Sequence, residues 1–142
     1  MIIEIKDIDK VIRCLRQFDA SAPIRISERY KDLNLYAQKL YNNANNYYFV
    51  RDKKTLGFIS FYANYGDTAY LALIAVEPAH KGLGIGSQML EFALDVSRGQ
   101  GMKRMKLEVS RENTEAIAFY LKKLFITEAG DGGHTYYMIR EL

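Results

Sequence analysis

The segment Leu73-Ile74-Ala75-Val76-Glu77-Pro78-Ala79-His80-Lys81-Gly82-Leu83-Gly84-Ile85-Gly86-Ser87 constrains the fold more than any other part of the chain: an apolar run, a proline stop, then alternating glycines leading into a helical pattern. It reads as strand, loop and helix. Without a Cβ at 82, 84 and 86 the backbone can turn sharply, so that consecutive N–H groups converge on one point. The helix that follows brings its unpaired first-turn donors and its positive dipole end to the same place. Such a pocket suits a phosphate or pyrophosphate held mainly by main chain.

Spacing narrows the choice of ligand. A dinucleotide fingerprint needs glycines at i, i+2 and i+5; counting from Gly82 meets Ser87, and counting from Gly84 meets Met89. A Walker loop needs Gly-Lys followed by Ser or Thr, whereas Lys81 precedes its glycine. What remains, Lys81-Gly82-Leu83-Gly84-Ile85-Gly86, resembles the acyl-CoA pyrophosphate loop of the GNAT family of N-acetyltransferases: Gln or Arg, two residues, Gly, one residue, then Gly or Ala. The resemblance implies a cofactor-binding set of Lys81, Gly82, Leu83, Gly84, Ile85, Gly86 and Ser87, with Leu83 standing where a basic residue is frequent. The simpler alternative is a glycine-rich turn that only joins strand to helix.

At 142 residues the chain is expected to form a single domain over 1–142 that buries roughly 70% of its unfolded surface. With 49% hydrophobic and 26% charged residues it has a globular composition, which excludes disordered and fibrous classes. No apolar run approaches a membrane span, and Met1-Ile2-Ile3-Glu4-Ile5-Lys6 lacks the long apolar stretch of a signal peptide, so a cytoplasmic location and no membrane partner are expected. Cys14 is the lone cysteine, which rules out a disulfide framework or a cysteine metal cluster; no metal is expected. A net charge of +3 with interspersed signs gives no dense basic stripe for nucleic acid, and Lys103-Arg104-Met105-Lys106 reads as a solvated edge. The positive excess still favours an anionic ligand.

Along the chain, Ile2–Ile5 forms a first strand, and Asp7 or Asp9 caps a helix carrying Ile8, Val11, Ile12, Leu15 and Phe18 inward. After a break at Pro23, Ser27 with Glu28 opens a second helix that runs to about Asn43. Tyr47–Val50 and Leu56–Tyr62 make a hairpin through Arg51–Lys54, and a further strand runs from about Ala69 to Val76. A third helix spans about Gly84 to Arg98, Met105–Val109 alternates as a strand, and a fourth helix spans Asn113 to about Lys123. Phe125–Thr127 and Thr135–Ile139 form a last hairpin through Asp131-Gly132-Gly133.

This order, β-α-α-β-β-β-α-β-α-β-β, is the one the GNAT resemblance implies: an α/β (α+β) fold with a central twisted, mixed, mostly antiparallel sheet of about seven strands and four flanking helices. The strand-loop-helix-strand unit at 69–109 is a right-handed parallel crossover, and its loop opens at the carboxyl ends of the strands, where ligands bind. In the family the corresponding strands splay beyond a β-bulge and admit the pantetheine arm.

A second constellation is Leu107-Glu108-Val109-Ser110-Arg111-Glu112-Asn113, then Ala116 and Tyr120-Leu121-Lys122-Lys123-Leu124-Phe125. Asn113 and Tyr120 lie seven apart, so they differ by about 20° around a helix and lie about 10 Å from each other. The resemblance implies that Asn113 contacts CoA and that Tyr120, on the same groove, binds near the thioester sulfur and protonates the departing thiolate. The alternatives are an N-cap for Asn113 and a packed core aromatic for Tyr120. Where the family commonly has glycine before the phenylalanine, this chain has Leu124, so the helix must be prolonged or ended differently.

No Ser-His-Asp or Cys-His set suggests a covalent route, and His80 and His134 stand isolated, so the resemblance points to direct transfer. It assigns carbonyl polarisation to main-chain N–H groups around Ile74, Ala75 and Val76. The base is Glu108 or Glu77; Met105, Leu107 and Val109 take one strand face and Glu108 the other, a setting that resembles members in which this glutamate deprotonates the amine. The competing reading of Glu108 is a surface ion pair with Lys106 or Arg111. Tyr30, Tyr36, Tyr41, Asp131, His134, Tyr136 and Tyr137 are candidates for an acceptor pocket or for rim packing. The expected function is an acetyl-CoA-dependent N-acetyltransferase acting on a small amine, as monomer or homodimer. A protein N-terminal or lysine acetyltransferase is the second choice, and a non-catalytic acyl-CoA-binding module the alternative from a different class.

Overall fold

The computed structural model describes residues 1–21, 25–128 and 133–142. Its elements are β1 (Ile2–Glu4), α1 (Ile8–Gln17), α2 (Ile26–Arg29), α3 (Leu33–Asn43), β2 (Asn45–Arg51), β3 (Lys54–Tyr62), β4 (Thr68–Val76), α4 (Ile85–Gly99), β5 (Arg104–Ser110), α5 (Thr114–Lys122), β6 (Ile126–Thr127) and β7 (Thr135–Glu141). They build one seven-stranded sheet in the order β1-β2-β3-β4-β5-β7-β6, in which β4–β5 is parallel and the other pairs are antiparallel. The expected mixed, mostly antiparallel α/β architecture is the one the chain adopts.

Two apolar layers cover the sheet. On one face α4 lays Ile85, Met89, Leu90, Ala93 and Leu94, and α5 lays Tyr120, against Ile59, Phe61, Leu71, Met105 and Leu107. On the other, Val11, Cys14, Leu15 and Phe18 of the α1 region and Ala37 and Leu40 of α3 pack with Phe58. Asp7 caps α1 by accepting from the Lys10 N–H at 2.8 Å, which selects it over Asp9.

The helix expected from Ser27 to Asn43 is two helices. Tyr30 is extended, and Asp32 accepts from the Leu35 N–H at 3.0 Å, a second N-cap that restarts the helix as α3. Ser27 is not the opening cap either. Its N–H and hydroxyl both donate to Asp19, at 2.6 and 2.9 Å, and the main-chain donor holds the Asp19 carboxyl below its ordinary range. Pro23 and Asp131-Gly132 of the last turn lie outside the described residues.

Two details of the ladders open the sheet. Between β3 and β4 the register runs Ser60↔Leu73 and then Phe61↔Leu71, so Ala72 is the extra residue of a bulge. The parallel β4–β5 ladder stops at Leu71↔Leu107. Beyond it β4 stays with β3 as far as Val76↔Gly57, while β5 stays with β7 as far as Ser110↔Thr135. The two central strands therefore part, and among the described residues, residues 72–76 have no strand partner on their β5 side.

Candidate active site

The loop that follows β4 lies at the open end of this parting. Pro78–His80 makes a 3-10 turn, Gly82 and Gly84 take φ of +84° and +81°, and α4 begins at Ile85. Only glycine adopts this backbone without strain, and a Cβ at either position would meet nothing within 4 Å. Gly84 is the N-cap of α4 and supplies no side-chain acceptor, so the first-turn N–H groups of a long helix face a clear approach. A phosphate group fits such a cradle. A Cβ on Gly86 would sit 3.6 Å from Val76 and 3.8 Å from Phe119, which shows how closely the start of α4 packs on the end of β4 and on α5.

The first turn of α5 borders the same loop. Lys81 reaches across to Glu115, with Nζ 3.9 Å from the carboxylate. Asn113 is the N-cap, its Oδ1 accepting from the Ala116 N–H at 3.1 Å, while its amide nitrogen makes no hydrogen bond among the described residues. Capping and ligand contact therefore do not compete for the same atom. Tyr120, 8% exposed, lies edge-on to Phe119 and Phe125, and burial pushes its hydroxyl pKa up. Leu83 is 57% exposed at the tip of the loop. Ile74, Ala75 and Val76 line the parted stretch of β4 and are half-buried, and Ser87 lies in the first turn of α4.

Glu108 is on the opposite sheet face from Leu107 and Val109, as alternation requires, and is exposed. Neither expected ion-pair partner is there. Lys106 is taken by Glu128 at 2.9 Å, and Arg111 stacks over Tyr136 and donates to the Thr135 carbonyl. Glu108 pairs across the strands with Tyr137, and its carboxylate beside the phenol raises the Tyr137 pKa. Glu77 follows β4 as the cap of the 3-10 turn, and its N–H donates to the Leu56 carbonyl. Among the described residues no group of His, Cys, Asp or Glu side chains is placed to hold a metal ion, and no helix is long and apolar enough to cross a membrane.

The sequence profile of the acetyltransferase (GNAT) family matches residues 12–124. The chain belongs to this family. Streptothricin acetyltransferase of Streptomyces lavendulae is 33% identical over 75 residues, which is 46% of this chain and 40% of that protein. The ribosomal-protein-S18-alanine N-acetyltransferase of Escherichia coli superposes over 99% of this chain and 92% of its own, with TM-score 0.81 and 20% identity. PaiA N-acetyltransferase of Thermoplasma acidophilum, solved in complex with coenzyme A, covers 100% of this chain and 99% of its own with TM-score 0.80 and 18% identity. At such identities the two structures establish the fold. The matched stretches span only 18 to 40% of the curated relatives' lengths.

On the Glu108 face of this GNAT sheet lies a set of tyrosines only partly foreseen. Tyr62 pairs with Tyr70, and Tyr70 with Lys106, so they form a row at the point where β4 and β5 part. Tyr30 stacks on Tyr36 at 3.7 Å between centroids. Burial first, then the Glu108 charge, pushes the Tyr70 hydroxyl up to about 12. Of the expected pocket residues, Tyr30, Tyr36 and Tyr137 belong here. Tyr41 instead bonds the Lys6 carbonyl, Tyr136 packs on the α4–α5 face, His134 is exposed, and Asp131 lies outside the described residues. Strand alternation puts Tyr70 opposite buried Ala69 and Leu71, a signal for its side of the sheet but not for its neighbours.

Proposed function

We propose that the protein transfers the acetyl group of acetyl-CoA directly to the primary amine of a small molecule. The observation that carries this is the parting of β4 from β5 beyond Leu71 and Leu107, with the Gly82–Gly86 cradle at its open end. In this reading the loop from Lys81 to Ser87 and Asn113 hold the cofactor, and main-chain N–H groups on the parted side of β4, around Ile74, Ala75 and Val76, take the carbonyl oxygen as it gains charge. Glu108, beside Tyr137, accepts one proton from the ammonium. The free amine then forms the new C–N bond, the C–S bond breaks as Tyr120 gives its proton to the sulfur, and the second proton lost by the nitrogen returns through solvent to the Tyr120 oxygen, leaving a neutral amide, a free thiol and a neutral phenol. A phenol whose pKa burial has raised stays protonated at neutral pH, as a proton donor must.

A panel of small amines and peptides, followed by thiol release from acetyl-CoA, tests the reading. Turnover of small amines supports it. Turnover confined to peptides makes the acceptor a protein, and CoA binding with no turnover makes the chain a binding module.

A further inference from the structure

Building on the acetyltransferase reading, we infer that the acceptor carries a carboxylate as well as its amine, and that Arg29 is the residue that selects it. The charges around the tyrosines are unevenly matched. Lys106 is neutralised by Glu128, leaving Glu108 as a carboxylate with no ion-pair partner among the described residues. It supplies one site for an ammonium at the mouth of the parted strands. Arg29 ends α2 beside the same cluster, its guanidinium 5.7 Å from the Tyr30 ring, and it too has no carboxylate partner among the described residues.

The space between these charges is walled by rings. Tyr62 and Tyr70 rise from the sheet, and Tyr30, stacked on Tyr36, comes from the break between α2 and α3. Tyr30 and Tyr36 also line a surface hollow of about 530 Å³ shared with Lys31, Lys39 and Asp32. Asp32 is engaged as the cap of α3, while neither lysine has an ion-pair partner among the described residues, so the far end of the acceptor meets net positive charge. A diamine or polyamine would place its second cation against Arg29. An amine bearing a carboxylate places a planar acceptor there, the geometry a guanidinium fork binds best. An ω-amino acid or similar amino-carboxylate, with an apolar body between its amine and its carboxylate, satisfies both ends and the walls.

The test uses matched pairs: 6-aminohexanoate against hexylamine, 4-(aminomethyl)benzoate against 4-methylbenzylamine, each assayed by thiol release from acetyl-CoA, with Arg29→Gln and Arg29→Lys beside wild type. The carboxylated member should lead by roughly tenfold or more in kcat/KM, mainly through KM. Arg29→Gln should bring the pair to within about twofold by slowing only the carboxylated member, and Arg29→Lys should keep part of the preference. Turnover with no preference for the carboxylated member, or a preference that survives Arg29→Gln, overturns the inference while the acetyltransferase reading stands. No turnover of either member of any pair by protein that binds CoA overturns the small-amine reading, and the inference with it.

Discussion

Glu108 stands beside Tyr137 and makes no ion pair among the described residues, so its exposed carboxylate is free to meet an ammonium. If it draws the proton from the ammonium, Glu108→Gln lowers kcat/KM by about 10² at neutral pH, with partial recovery at high pH, where free amine is abundant. An exposed carboxylate with only a structural role is worth about 0 to 1 kcal/mol, and its loss would leave the pH profile unchanged. Glu77→Gln, measured in parallel, should keep both rate and profile; the reverse pattern moves the base to Glu77. At Tyr120 the ring packs between Phe119 and Phe125, so Tyr120→Phe keeps the packing and removes only the hydroxyl. A fall in kcat of about 10² with unchanged acetyl-CoA affinity fits the proton donor, and activity within about twofold of wild type removes that role.

Among the elements, α5 ends in a way that bears on Leu124. The Phe125 N–H bonds the Tyr120 carbonyl at 3.0 Å and the Leu124 N–H bonds the Leu121 carbonyl at 3.1 Å, a Schellman closure with Leu124 at φ +68°. Leucine takes here the left-handed position that glycine favours, at a strain of about 1 kcal/mol, and its side chain is 70% exposed. Leu124→Gly should therefore raise the urea midpoint by the equivalent of about 0.5 to 1 kcal/mol, whereas Leu124→Ala, with its Cβ, should not. Most elements were legible because apolar alternation and helical periodicity mark them directly, as with β5 and α4. The break at Tyr30–Asp32 was not, because the apolar periodicity of Tyr30, Leu33 and Ala37 runs on through it while Asp32 quietly supplies a second cap. The loop was legible because its alternating glycines fall within one short stretch of sequence. The Ala72 bulge and the Tyr62–Tyr70–Lys106 row were not, since they exist only once strands are paired in register.

Across the whole molecule, the two apolar layers keep buried ionisable groups neutral, and that sets a limit in base. Burial pushes the Cys14 thiol up from 9.0 to about 11, and it raises Tyr36 and Tyr120 as well. Above the unfolded pKa the unfolded chain gives up protons that the folded one retains, so stability falls as pH rises. Cys14 alone accounts for a loss on the order of 2 kcal/mol between about pH 9 and pH 11. Urea midpoints over that range should decline less steeply in Cys14→Ala, and parallel declines would contradict the assignment. The chemistry proposed for this chain requires CoA to enter through the glycine cradle beside the parted strands. Its most direct test is calorimetric titration of CoA into wild type, Gly84→Ala and Gly84→Asp, each checked for native circular dichroism. Gly84→Ala carries only the backbone strain at φ +81° and should bind more weakly, while Gly84→Asp adds a negative charge at the proposed phosphate cradle and should lose binding by about 10² or more. A folded Gly84→Asp protein that binds CoA with wild-type affinity would contradict it.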